Sequence, residues 1–465
     1  MAALRRRSGP ASALLIAGIV AGCAFGGGGS PVSGSCADSP APTAPAGPGG
    51  GAVGGDLVVV GRIVTMDEPA QAEALLIEAG QVTCVGTRDD VLERAGDEVP
   101  VVDIGDNVAY PGFIDAHAHW IGDRDYYGLD SPEAAMDAAL SRGWTSISEQ
   151  WVNPERLDEL TALSTDDALS IRVDAYLSLN YGNEFFGDWY ADREPGAAGD
   201  RLRVRGLKIH LDSGRGDVIN WEQEELTAAI GQGNDAGWQV SVHSVSTEAQ
   251  DMVLDAYQAA LGPTGPNPLH HRIEHALEVS DEQLERMVAM DLVTVVHPDG
   301  GAADWVLWTE YLGMGADYPA EQIGWLARLR DFLDAGLHVA AATDAPWFIP
   351  DFALTERIGR PLDQIAGGMD GRLREYPDTP EWMLDQLLTA EQGLRAVTVE
   401  AAYALGDETR RGHLAAGTLG DLTILSGDVT GATADELRAM EVIATIVGGV
   451  VEHCADPDIC GSAEE

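Results

Sequence analysis

The run Ala109-Tyr-Pro-Gly-Phe-Ile-Asp115-Ala-His117-Ala-His119 decides how the rest of the chain reads. It is an apolar, strand-like stretch that closes on two histidines two residues apart. In an extended chain both imidazoles therefore leave the same face. Working outward, a strand is placed over 108–117 and others over 145–151, 171–179, 203–211, 238–245, 271–277, 292–298 and 338–344. Helical stretches at 153–164, 222–236, 246–261, 280–290 and 320–335 alternate with them, several with acidic residues in the first turn. Eight strands alternating with helices give the count of an α/β fold, a (β/α)8 TIM-like barrel, over 108–405.

Both flanks read as β. Short β-rich runs at 57–60, 62–66, 74–77 and 81–85 are cut by Gly or Asp turns, and the same pattern returns after residue 410. Segments 56–107 and 406–453 are expected to pair into a small β-sandwich domain built from both chain ends, with 454–465 as a tail. Ahead of them, residues 1–22 carry Arg5, Arg6 and Arg7, then a largely apolar run and small residues, the pattern of an export signal. The apolar run is too short to favour a spanning helix. Its end, Val20-Ala21-Gly22-Cys23, resembles a bacterial lipobox, which implies cleavage before Cys23 and a lipid on its thiol. The chain is then exported and lipid-anchored to a bacterial membrane, on its periplasmic or extracellular face, and touches that membrane only through the anchor. Residues 23–55, rich in Gly, Pro and Ala, read as a flexible tether. Of the other cysteines, Cys454 and Cys460 bracket a short loop suited to a local disulfide, Cys84 reads as a buried thiol in a strand, and Cys36 falls in the tether.

Charge narrows the function. The 465 residues hold 28 basic and 76 acidic side chains, a formal net charge of -48, which excludes a nucleic-acid partner held by phosphate neutralisation. A small-molecule substrate fits; the oligomeric state is left open. Among the 28 basic residues Lys208 is the one lysine.

In such a barrel chemistry collects at the C-terminal ends of the strands. Those ends carry His117 and His119, then Lys208, His243, His275 and Asp344, with Glu149, Tyr176 and His297 from strands two, three and seven. Neutral imidazoles suit zinc and similar ions. A buried lysine is a poor ligand while protonated, but its neutral amine can capture carbon dioxide as a carbamate whose two oxygens bridge two ions. Arginine cannot do this, because its guanidinium stays protonated. Elsewhere this chain uses Arg for its basic side chains, so a lone Lys facing a histidine cluster is informative. His210, His270, His271, His338, His413 and His453 read as structural or solvated. Aromatics near the rim, Trp120 after the paired histidines and Trp347 after Asp344, suggest an apolar portion of the substrate, with His297 beside them.

The opening run resembles the signature of the amidohydrolase superfamily, and Gly412-His-Leu-Ala-Ala-Gly-Thr-Leu-Gly-Asp421-Leu-Thr-Ile-Leu resembles its closing β segment. Arg272-Ile-Glu-His275-Ala and Ala342-Thr-Asp344-Ala-Pro346 resemble the branch called amidohydrolase family 3, which includes N-substituted formamide deformylases. The resemblance implies a barrel with a β-sandwich and a hydrolytic centre of two divalent ions, with zinc expected. Its metal residues are His117, His119, carbamylated Lys208, His243, His275 and Asp344. It also implies hydrolysis of a C–N bond in an amide, N-acyl or N-formyl amine or cyclic amide, outside peptide bonds, by a metal-bridged hydroxide with Asp344 as proton shuttle. The run Ile209-His-Leu-Asp-Ser-Gly-Arg-Gly after Lys208 departs from the Phe-Ala-Asp-Gly-Ser-like run usual in that branch. A deaminase or an ester or lactone hydrolase could use the same scaffold, and a non-catalytic solute-binding lipoprotein would share the leader and tether.

Overall fold

The computed structural model describes residues 36, 54–214, 216–299, 322–345, 359–372, 379 and 381–460. The export segment, Cys23 and Trp347 lie outside them. Eight parallel strands follow one another in a single sheet: Phe113–Ala118, Trp144–Val152, Arg172–Ser178, Leu202–His210, Gln239–Ser244, Arg272–His275, Val293–Val296 and His338–Ala341. These are barrel strands one to eight below. The first and last are joined at the rim, where Asp344 N donates to His117 O at 2.9 Å and His119 N to Ala345 O at 3.0 Å. Strand one is buried along its whole length, as expected of a parallel strand covered by helices outside and packed side chains inside.

The helices begin where the sequence supplies caps. Asn153 accepts from Arg156 N at 2.9 Å ahead of helix Pro154–Thr165, and Ser280 with Gln283 forms a reciprocal capping box ahead of Asp281–Ala289. The helix expected over 320–335 is shorter. A 3-10 turn at Ile323–Trp325 precedes Leu329–Asp334. Between them Leu326 bridges Glu278, and Ala327, at φ 45°, donates to Leu277 O at 2.9 Å, so this backbone bonds outside any helix. No helix among the described residues is long and apolar enough to cross a membrane.

The chain ends pair into a separate seven-stranded sheet. Its order is Val450–Cys454, Val442–Val447, Leu422–Leu425, Val101–Pro111, Leu57–Val64, Gln71–Glu78 and Gln81–Gly86. Val82 and Ile446, from opposite ends of that order, share one apolar core with Leu57, Val59 and Ile424. The boundary with the barrel falls later than expected: the stretch read as one strand from 108 is two. Tyr110 and Pro111 pair with Thr423 and Leu422 in the small sheet, and the barrel starts at Phe113. Gly112 makes the crossing because a Cβ there would lie 2.1 Å from Thr145 Oγ1. Asp421, from the closing segment, fastens the two sheets together by accepting from Arg172 Nε at 2.6 Å and Nη2 at 2.8 Å.

The cysteines correct one expectation. Cys454 and Cys460 are bonded to each other, as their spacing suggests, but Cys84 is bonded to Cys36 and is not a free thiol. With Val58, Val60 and Leu76 of the neighbouring strands it packs against Val91 of helix Arg88–Ala95, and Cys36 joins that layer. No pattern in the Gly/Pro-rich segment could have placed Cys36 there.

Candidate metal centre

Three strand ends leave the regular β conformation. Trp151, His275 and Asp344 have φ of 56°, 72° and 50°, a region that non-glycine residues adopt at a cost. Those distortions turn side chains from different strands toward one point at the mouth of the barrel.

Strand one supplies His117 and His119, both buried. His117 Nδ1 lies 2.6 Å from Glu274 Oε2. The same carboxyl accepts from Ser241 Oγ at 2.7 Å and pairs with Arg272 Nε at 2.6 Å. Burial alone would raise its pKa, but Arg272 and His117 outweigh burial and hold Glu274 well below the carboxylate range. An ionised Glu274 only accepts, so His117 donates to it from Nδ1 and turns its Nε2 to the mouth. That Nε2 lies 3.2 Å from Asp344 Oδ1, itself an acceptor. His119 faces a carboxylate on each side, Asp344 Oδ1 at 3.2 Å from Nε2 and Asp123 Oδ2 at 3.5 Å from Nδ1. Burial lowers its pKa, so it offers one proton for two carboxylates. Acceptors that face each other in this way call for a cation between them.

The other side of the mouth has the same need. His297 Nδ1 donates to Ala342 O at 2.9 Å, so its Nε2 accepts from His275 Nδ1, also at 2.9 Å. That leaves His275 Nε2 as a lone pair without a partner. His243, whose ring centroid is 4.3 Å from that of His275, makes no hydrogen bond through Nε2, which lies 3.5 Å from Asp212 Oδ1. Burial, then the neighbouring His210 and Lys208, keep His243 neutral; burial, then His243, do so for His275. Lys208 Nζ is buried and makes no hydrogen bond. Burial pushes its pKa down to about 8, against the pull of Glu274 and Asp344, so a neutral amine is within reach near physiological pH. His117, His119 and Asp344 offer ligand atoms within 4.8 Å of one another, as do His275, His297 and Asp344. The six expected metal residues thus meet at one mouth. Their orphaned lone pairs, a carboxylate and a reactive amine fit divalent cations.

The aromatic residues stand differently. Trp120 does not line the mouth. It is fully buried, its indole N–H donates to Asp115 Oδ2 at 3.1 Å, and Arg142 lies over its ring. One residue past His119, strand alternation turns it back into the core. His297 is engaged through both nitrogens and orients His275, so it has no free face for substrate. His210, read as structural, sits at the mouth with its ring 4.3 Å from that of His243. Sequence reasoning also missed Trp151, whose ring lies 4.5 Å from that of His119, and Glu274, although it lies inside a quoted motif. For Glu274 the signal was present: a carboxylate in a buried strand, two residues from an arginine on the same face.

Replacing Glu274 by Gln leaves Arg272 buried without its counter-charge. We expect unfolding in urea to report a loss of about 3–5 kcal/mol. A loss under about 1 kcal/mol would show that the ion pair does not hold the barrel interior.

The sequence pattern of the amidohydrolase family matches residues 127–453. The chain is 29% identical over 219 residues to an N-substituted formamide deformylase of Arthrobacter pascens, covering 47% of this chain and 37% of that protein. It is 27% identical over 408 residues to an imidazolonepropionase of Deinococcus radiodurans, covering 82% and 90%. Among solved structures, a metal-dependent hydrolase from Pyrococcus horikoshii superposes with a TM-score of 0.66 at 18% identity, covering 82% of this chain and 99% of that one. The matched stretch spans less than half the length of several curated relatives, the deformylase among them. With the family pattern running from the first barrel loop to the last strand of the small sheet, the chain belongs to the amidohydrolase family.

Proposed function

We propose that the chain is a metal-dependent hydrolase that cleaves a C–N bond in an amide, an N-acyl or N-formyl amine or a cyclic amide. The observation that carries this reading is the set of unpartnered lone pairs and the neutralisable Lys208 amine around Asp344. His117, His119 and Asp344 would hold one divalent ion, His243 and His275 a second, and Lys208, as a carbamate, would lie between them; zinc suits these donors. Such ions supply polarisation of the scissile carbonyl and a water of lowered pKa.

The side chains do the rest. Glu274 orients His117, and His297 fixes the tautomer of His275, so both rings turn Nε2 to the mouth. Asp344 is kept ionised: burial would raise its pKa, but His117, His119 and His275 outweigh it. Its Oδ1 faces the strand-one histidines, which leaves Oδ2 as the atom to take the proton of the attacking water. Oδ2 then returns that proton to the departing nitrogen, so the amine leaves neutral. The C–N assignment is supported by relatives whose names place them on a formamide and an imidazolone. The two disulfides suit the oxidising compartment implied by residues 1–22.

The test is metal analysis with a substrate panel. Protein loaded with zinc, cobalt or manganese should hydrolyse N-substituted formamides or amides and stop when a chelator strips it. Loaded protein that cleaves esters or lactones and leaves every amide intact would overturn the bond assignment.

A further inference from the structure

Six large apolar side chains are exposed among the described residues, and four of them follow barrel strand ends on one rim. Tyr126, Tyr181, Phe185 and Val218 follow barrel strands one, three and four, on the rim that carries the histidines. The rings behind them form a continuous wall from the metal residues outward. The Trp151 ring lies 4.5 Å from that of His119, and Tyr181 stands perpendicular to it, centroids 4.7 Å apart. His210 closes the group, 5.2 Å from Trp151 and 6.1 Å from Tyr181, to which it is nearly parallel at 22°.

The wall is uncharged. Gly182 N–H donates to His210 Nδ1 at 3.1 Å, so that nitrogen accepts and carries no proton. The ring is therefore neutral, with its proton on Nε2. Arg156, which donates to Trp151 O at 3.2 Å, is neutralised by Asp123. Trp151 itself is held in left-handed backbone, a conformation that disfavours a large side chain and that persists where the surroundings impose it. Here the imposed geometry lays the indole against a metal-ligand histidine. Tyr181, 44% exposed, leaves the outer end of the wall open.

We infer that Trp151, Tyr181 and His210 form a subsite for a neutral aromatic group carried next to the scissile bond, so that an aryl or arylalkyl amide is the preferred substrate. The inference rests on the C–N hydrolase reading. Aromatic faces and edges favour another ring beyond simple area burial, and contact with the His119 ring places that group beside the reacting carbonyl.

Tyr181→Ala is the informative variant, because an exposed ring can be removed without opening the core. On the metal-loaded enzyme, kcat/KM for N-benzylformamide should fall about tenfold and that for N-butylformamide by less than about twofold, while Tyr181→Phe keeps the wild-type ratio. An equal fall for both probes, or no change in their ratio, overturns the subsite. If neither formamide is cleaved, the reaction assignment fails on its own, and the subsite is judged by binding. Tryptophan fluorescence titrations with N-benzylformamide should then give a Kd raised about tenfold in Tyr181→Ala, and an unchanged Kd overturns it.

Discussion

Lys208→Arg should abolish most of the activity and lower the metal content of the protein as purified. The guanidinium keeps positive charge at a buried position where burial already pushes the lysine ammonium down to about 8. It cannot shed a proton to react with carbon dioxide. A fixed cation would then face His243 and His275, whose bare Nε2 atoms need a cation of their own. We expect kcat/KM to drop on the order of a thousandfold, the ~4 kcal/mol that loss of metal assistance would cost. Bound metal should fall from two equivalents to one or none. A companion measurement separates the carbamate from mere packing: metal-stripped wild-type protein should regain activity faster when bicarbonate accompanies the metal, and the variant should not respond. Full activity with two ions in Lys208→Arg would end the carbamate assignment.

Asp344→Asn should leave the fold standing and remove turnover. Asn tolerates the left-handed conformation at φ 50°, and its amide oxygen can still face the strand-one histidines. The amide cannot accept and return a proton, so kcat should fall about 10²–10⁴-fold while KM changes little. The pH profile supplies the second readout. In wild type Asp344 is ionised from well below neutrality, through His117, His119 and His275 working against burial, so its titration should not limit activity between pH 5 and 8. An acid limb inside that window that vanishes in Asp344→Asn would assign the carboxyl a much higher pKa than its neighbours allow.

Much of the barrel was legible because its strands are short apolar runs between polar helices, and the structure keeps each within a few residues. The candidate metal residues could be listed for a related reason: they sit at strand ends, which sequence order alone can enumerate. What sequence could not give was the meeting of side chains from distant strands. Glu274 matters because it touches His117 and Arg272 at once, and only the closed barrel brings strands one and six together. His210 looked like one more strand residue until His243, from the next strand, lay against its ring. Trp120 was misplaced because nearness in sequence stood in for facing, although alternation along the strand had already turned it away. Trp151 was hidden by its backbone, since a left-handed turn at the end of strand two changes where its side chain points.

The Cys36–Cys84 bond sets a mechanical path through the molecule. Its two ends are 48 residues apart, and Cys84 belongs to Gln81–Gly86, an edge strand of the small sheet. Tension applied ahead of Cys36 therefore enters the fold at that strand and bypasses the covalent path through Leu57–Val64 and Gln71–Glu78. Gln81–Gly86 runs antiparallel beside Gln71–Glu78, and a load spread along such a ladder is shared by many hydrogen bonds. The barrel, joined to the middle of the sheet through Gly112 and Asp421, feels the pull only after the strands on the loaded edge.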